Sequence, residues 1–330
     1  MEESISTVYS PIGHMARKTS SVQKAERTAI FLAPPGVSYI DSAESLSIIN
    51  RKLFKQDRVY GIDSVEFAFA PSPAYDTVSL LVSTAGDTWS VHNGHTKGHA
   101  LFNEMNRLVL ADNPSIQGRW HGFKVYLDSA HRTKHIAAGN LIPVNHLQGE
   151  WNYSDYVLPQ HEVDPATGLP LAADQCQAHL IGANVGAAPN FISIGLVNAY
   201  QESRATVFAD DPNVPVGMAT SFFNLLTDSG SQEPELAGVI QLEGDNPPYD
   251  LLNYPGGAVN ANTPSLTEFA VINAASPNGH ITPFVAQCGL IKIETVAYLN
   301  GAVVDAPSLT IKVNYMPGKY KGIAAIPMGQ

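Results

Sequence analysis

Apolar and polar residues alternate with a period of two in most of the segments where any period is visible. Val65, Phe67 and Phe69 alternate with Ser64, Glu66 and Ala68. Phe123, Val125 and Leu127 alternate with Lys124, Tyr126 and Asp128, and Ile311, Val313 and Tyr315 with Lys312, Asn314 and Met316. Successive side chains of a strand point to opposite faces, so Phe67, Phe69, Phe123, Val125, Ile311 and Val313 are expected to face a core. Further strands are predicted at Val78–Val82, Trp151–Leu158, Gln175–Gly182, Phe191–Tyr200, Leu266–Asn273 and Leu290–Tyr298. Helical spacing is confined to inserts. Asp41-Ser-Ala-Glu44 reads as a capped helix start, and Leu46, Ile49 and Leu53 carry the helix to about Lys55. Leu101, Met105 and Leu108, spaced by four and three, predict a second helix, and Ala219–Leu226 a third.

Eight or nine strands with helices only as inserts define an all-β chain, either a sandwich or a jelly roll. An α/β fold needs helices between most strands, and no repeat suggests a propeller or solenoid. The organisation expected is a partly ordered N-terminal arm over residues 1–40, then one β-domain over 41–330. A long surface insertion, about 201–265, separates two groups of strands.

Composition sharpens this picture. The chain has 330 residues, of which 15% are charged, against about 25% in a typical soluble domain. Low charge suits a protein that covers much of its surface with partners. The charge is also uneven. Residues 1–60 hold eight Lys/Arg and six Asp/Glu, whereas the remainder holds eleven and twenty-four. Between Lys134 and Lys292 the only basic residue is Arg204, against fifteen acids. Such a layout points to two surfaces facing different environments. Met1–Ser10 carries Glu2 and Glu3 and no apolar run, so no secretory signal is expected, and no stretch predicts membrane insertion. The two cysteines, Cys176 and Cys288, read as small buried residues rather than a disulfide scaffold.

Several segments, in order along the chain, resemble the capsid proteins of small circular single-stranded DNA viruses that encode a rolling-circle replication protein, the CRESS-DNA viruses. They are Asn50-Arg-Lys-Leu-Phe-Lys-Gln56, Asp87-Thr-Trp89, Trp120-His-Gly-Phe-Lys-Val-Tyr126 and Gly149-Glu-Trp-Asn-Tyr-Ser154. Gly244-Asp-Asn-Pro-Pro-Tyr-Asp250, Tyr254-Pro-Gly-Gly257, Cys288-Gly-Leu-Ile-Lys292 and Pro317-Gly-Lys-Tyr-Lys-Gly322 follow. The resemblance implies a single eight-stranded antiparallel jelly roll and self-assembly into an icosahedral shell. It also implies a single-stranded DNA genome inside, a host receptor, and a life in the virion after assembly in the host cell, with the nucleus as the candidate compartment. One departure is plain. Residues 1–40 hold four basic residues against Glu2, Glu3 and Glu26, so an arm of this composition grips a genome weakly.

The candidate nucleic-acid-binding residues are Arg17, Lys18, Arg51, Lys52, Lys55 and Arg58. Four of them fall within eight residues, and phosphates respond to clustered charge. Phe54 and Tyr60 lie close by as candidate stacking partners for unpaired bases. His92, His95 and His99 recur at helical spacing, but Asn93-Gly94 is expected to break the helix. They are therefore read as surface or inter-subunit histidines, not zinc ligands. Asp210-Asp211 and the pair Asp245 and Asp250 read as solvated acidic turns rather than calcium sites. The chain has no Gly-x-Ser-x-Gly elbow, Walker loop, His-Glu-x-x-His helix or paired Cys-x-x-Cys. No catalytic residue, metal or cofactor is therefore assigned. The competing expectations are a β-sandwich carbohydrate-binding or glycosidase-like protein and a trimeric virion attachment protein.

Overall fold

The computed structural model describes residues 24–119, 121–158, 166, 174–187, 190–205, 253–273 and 275–329. In chain order these form β1 (Thr28–Ala33), β2 (Gly36–Asp41), α1 (Ser42–Asn50), β3 (Arg58–Ala68), β4 (Thr77–Thr84), α2 (Trp89–Asp112) and α3 (Ser129–Ala138). There follow β5 (Asp155–Leu158), β6 (Asp174–His179), β7 (Val185–Ala187), β8 (Asn190–Gly195) and α4 (Leu196–Ala205). The chain closes with β9 (Ser265–Asn273), β10 (Asn278–Ile281), β11 (Phe284–Gln287), β12 (Leu290–Leu299), β13 (Ala302–Val304), β14 (Leu309–Tyr315), β15 (Pro317–Tyr320) and β16 (Ala325–Pro327). Among the described residues no helix is long and apolar enough to cross a membrane.

Two antiparallel sheets pack face to face as a sandwich. In the first, β14 lies between β1 and β3. The far side of β3 carries β10 and β11 end to end, and β16 continues the line of β14. In the second, β12 lies between β4 and the shared line of β2 and β13, and β9 forms the edge beyond β4. The alternation read from the sequence sets the register. Phe31, Ile311 and Phe67 stand side by side on three strands, as do Ala29, Val313 and Val65. Across the interior they meet Ile40, Val78, Leu80, Val82, Ile291 and Ile293 of the second sheet in one core. Two-residue periodicity thus becomes one dry layer shared by both sheets.

The segment between β4 and β9 is a large insertion with its own sheet, ordered β5-β6-β8-β7, in which β6 and β8 run parallel. Its core gathers Phe102, Phe123, Val125, Leu127, Leu180 and Val197 with Tyr39 and Leu290 from the sandwich. Tyr39 and Leu290 alternate with Ile40 and Ile291, so the insertion covers the outer face of β2 and β12.

Several expectations need correction. Phe67, Phe69, Ile311 and Val313 enter the sandwich core, but Phe123 and Val125 are buried in the insertion instead. Residues 121–125 form no strand. The chain meets β6 just after them, at an isolated bridge between Tyr126 and His179 in which the Tyr126 N–H donates to the Ala178 carbonyl. The described strands number more than eight, because the insertion has four strands of its own and several sandwich lines are broken into pieces. Phe191–Tyr200 is a strand only to Gly195 and then turns into α4. Residues 28–40, read as part of an arm, supply β1 to one sheet and all but the last residue of β2 to the other. Helix α1 stops at Arg51, which takes a left-handed conformation (φ 53°), leaving Leu53 exposed.

Helix α2 runs unbroken through Asn93-Gly94 because its glycines face another helix. A Cβ at Gly94 would lie 3.0 Å from the Leu196 carbonyl oxygen, and one at Gly98 would lie 2.8 Å from Leu196 Cδ2. Close approach to α4 outweighs glycine's low helix propensity. The buried face therefore holds Val91, His95, Gly98 and Phe102, whereas Leu101 and Leu108 point to solvent. Cys176 and Cys288 are buried free thiols.

Candidate nucleic-acid interface

Helix α1 opens in the interior and closes at the surface. At its start, Asp41 ends β2 and caps the helix, accepting from Ala43 N at 2.9 Å and Glu44 N at 3.2 Å. The same carboxylate accepts from Gln56 Nε2 at 2.5 Å, Trp151 Nε1 at 2.9 Å and Tyr153 Oη at 3.3 Å. Asn140 links this cluster onward, donating to Glu44 Oε2 and to Tyr153 Oη and accepting from His131. His131 Nδ1 accepts from Leu127 N, so Nε2 carries the ring proton. Burial pushes the Glu44 carboxyl up to about 8, helped by the neighbouring Asp41 charge. It also pushes the His131 imidazole down to about 3. This network ties the sandwich to the insertion. Composition gave no sign of it, because its members are scattered over a hundred residues.

At the other end of α1 the chain delivers cations to the surface. Arg51 is the left-handed cap, and Lys52 Nζ donates to the Lys24 carbonyl at 2.9 Å. Lys55 is exposed, and its backbone N–H donates to Tyr320 Oη at 3.2 Å. Arg58 stacks over the Tyr320 ring, 3.9 Å from its centroid, and pairs with Asp57 at 3.5 Å. The end of β15 and the turn after it add two more lysines. Lys321 lies over the Phe54 and Tyr320 rings and donates to the Leu53 carbonyl. Lys319 is exposed on the same hairpin. The Lys321 ammonium is held below its usual range, first by partial burial and then by the charges of Lys55, Arg58 and Lys52. Ammonium groups that disfavour one another's charge form a field that a phosphate relieves.

Three of the predicted cations, Lys52, Lys55 and Arg58, thus come together with Lys321 from the far end of the chain, and Arg51 and Lys319 are exposed on the adjoining segments. The sequence signal for the added pair is Lys319-Tyr-Lys321. Arg17 and Lys18 lie outside the described residues, as do Asp210, Asp211, Asp245, Asp250 and the helix predicted at Ala219–Leu226. The stacking assignment is corrected. Phe54 and Tyr60 are both 0% exposed, so neither reaches a base. Tyr320 is the half-buried ring at this surface.

The histidines of α2 form no metal site among the described residues. His92 pairs with Asp87 at 2.7 Å and accepts from Gly329 N at 3.0 Å. His95 is only 2% exposed rather than on the surface, and burial pushes its imidazole down to about 3. Comparisons with protein-family models, curated proteins and solved structures find no match.

Proposed function

We propose that this protein is a viral capsid subunit that assembles into a closed icosahedral shell around single-stranded DNA. The strand order carries the reading. Take the eight sheet lines in chain order as β1, β2, β3, β4, β9, the β10–β11 line, β12 and β14. One sheet then runs first, eighth, third, sixth, and the other second, seventh, fourth, fifth. Neighbours are the pairs first–eighth, second–seventh, third–sixth and fourth–fifth. This is a long antiparallel hairpin folded over on itself, the path of an eight-stranded jelly roll. The insertion hangs between the fourth and fifth lines.

Two surface features support assembly around a polyanion. Large apolar side chains are exposed on the edge strand of each sheet: Leu32 on β1 at 63% and Phe269 on β9 at 62%, with Ile30 and Val271 beside them. Exposed apolar edges on a chain of low charge suit burial between subunits. The cationic face at α1 supplies phosphate contacts that the sparsely charged arm lacks. Light scattering of the purified protein tests the reading. A particle of tens of subunits is expected, and a stable monomer or trimer overturns it.

A further inference from the structure

A small cleft opens beside the cationic face, between α2 and residues 121–123. It is lined by Lys55, Asp57, His99, Asn103, His121 and the edges of Phe102 and Phe123. Three features set it apart. First, among the described residues the Lys55, His99, Asn103 and His121 side chains are engaged in no hydrogen bond or ion pair, yet they converge on one space. Second, both imidazoles are held in place by aromatic faces. His99 stacks on Phe123 with centroids 5.4 Å apart and planes at 22°, and His121 on Phe102 at 4.9 Å and 30°. A protonated imidazole on such a face gains a cation–π contact. Third, the net charge of the lining changes with pH. With both imidazoles neutral, Lys55 and Asp57 cancel; with both protonated, the cleft carries two positive charges.

We propose that this cleft is a phosphate-binding pocket, in which the Lys55 ammonium, the His99 and His121 imidazoles and the Asn103 carboxamide grip one phosphate group of a nucleic-acid strand. The strand as source rests on the proposed genome-binding role of the neighbouring cationic face, with which the cleft shares Lys55. The surroundings make the grip pH-dependent. His99 is held below the usual imidazole range by burial and by Lys55, with Asp57 opposing. His121 is held low by burial and by Lys124 and Arg119. His95, with its ring 5.7 Å from that of His99, is too buried to share the proton. A bound phosphate offsets these penalties, so protonation and binding favour each other.

The test pairs free phosphate with a strand. Inorganic phosphate, against chloride at equal ionic strength, is expected to raise the melting temperature at pH 6 but not at pH 8. The H99Q/H121Q double variant should lose that rise while melting normally in phosphate-free buffer. A fluorescent ten-residue oligothymidylate should bind wild type about ten-fold more tightly at pH 6 than at pH 8, the scale of one charge-assisted contact. In H99Q/H121Q the ratio should fall to near one. R51A/K52A, outside the cleft, should weaken binding at both pH values and keep the ratio. N103A should weaken phosphate binding independently of the histidines. A pH ratio or a phosphate stabilisation that survives in H99Q/H121Q overturns the pocket. If wild type binds the oligonucleotide at neither pH but phosphate still acts through the two histidines, the strand is overturned as the source, together with the genome-binding role of the face.

Discussion

The two ends of α1 use charge in opposite ways. At the N-terminal end, Asp41 and Glu44 are buried, and the Asp41 carboxylate accepts from five donors drawn from α1, the following loop and the insertion. At the C-terminal end, Arg51, Lys52 and Lys55 reach solvent and touch little. The Asp41 carboxylate at the cap suits the helix dipole, and the consequences of charge diverge between the two ends. A buried charge is a constraint, because each donor around it loses its only acceptor if it leaves. An exposed charge is replaceable as far as folding is concerned and free to meet a ligand. Charged residues therefore hold the molecule together at one end of the helix and stand at the surface at the other.

The sharpest way to break this contrast is Asp41→Ala. It strands the Trp151, Tyr153 and Gln56 donors and removes a helix cap, at an expected cost of about 4 kcal/mol or more. The measurement is chemical denaturation, or soluble yield if the variant does not fold. A loss below about 1 kcal/mol would show that the junction is ornamental.

Next comes the pH dependence of Glu44. Its folded-state value of about 8 exceeds the ordinary 4.5, so the folded chain binds the extra proton and stability falls as pH rises through this interval. Six histidines, His95, His99, His121, His131, His135 and His179, are held below the ordinary range and act in the opposite sense, because the unfolded chain releases their protons as pH rises through about 6.5. The Glu44 contribution is therefore read as a difference between two proteins. From pH 6.5 to 8, wild type should lose about 2 kcal/mol relative to Glu44→Gln, which keeps the histidine contribution alone. Parallel profiles of wild type and Glu44→Gln would remove Glu44 from the account.

The smallest effect on stability is expected at the other end of the helix. R51A/K52A/K55A should change unfolding free energy by no more than about 0.5 kcal/mol. It should nevertheless lower the 260/280 nm absorbance ratio of purified particles. It should also reduce the log–log salt slope of single-strand binding by about 2, for three lost phosphate contacts. An unchanged ratio and slope would separate the cationic face from the genome.

The sandwich was legible because its strands alternate. Val65, Phe67, Ile311 and Val313 could be placed by counting in twos, and Asp41 announced α1 through its cap. The insertion was not legible, because its elements answer to tertiary contacts. Gly94 looks like a helix breaker until Leu196 is seen across from it. Leu101, Met105 and Leu108 have helical spacing but mark a face that is largely exposed, while Phe102 turns inward. Of the cationic face, Arg51 to Arg58 could be read as a local run. Lys319 and Lys321 could not, since only the pairing of β16 with β3 brings the chain's end back to α1. The Asp41 network was invisible for the same reason: Gln56, Asn140, Trp151 and Tyr153 share no motif, only a place.

The central claim is the proposal that this sandwich is a jelly-roll subunit of a shell with the cationic face toward its contents, and cryo-electron microscopy of the purified particles tests it most directly. The expected result is a closed icosahedral shell of single-sandwich subunits, with Lys55, Arg58 and Lys321 lining the interior. A monomer, a trimer, or a shell carrying those three side chains on its outer surface would contradict it.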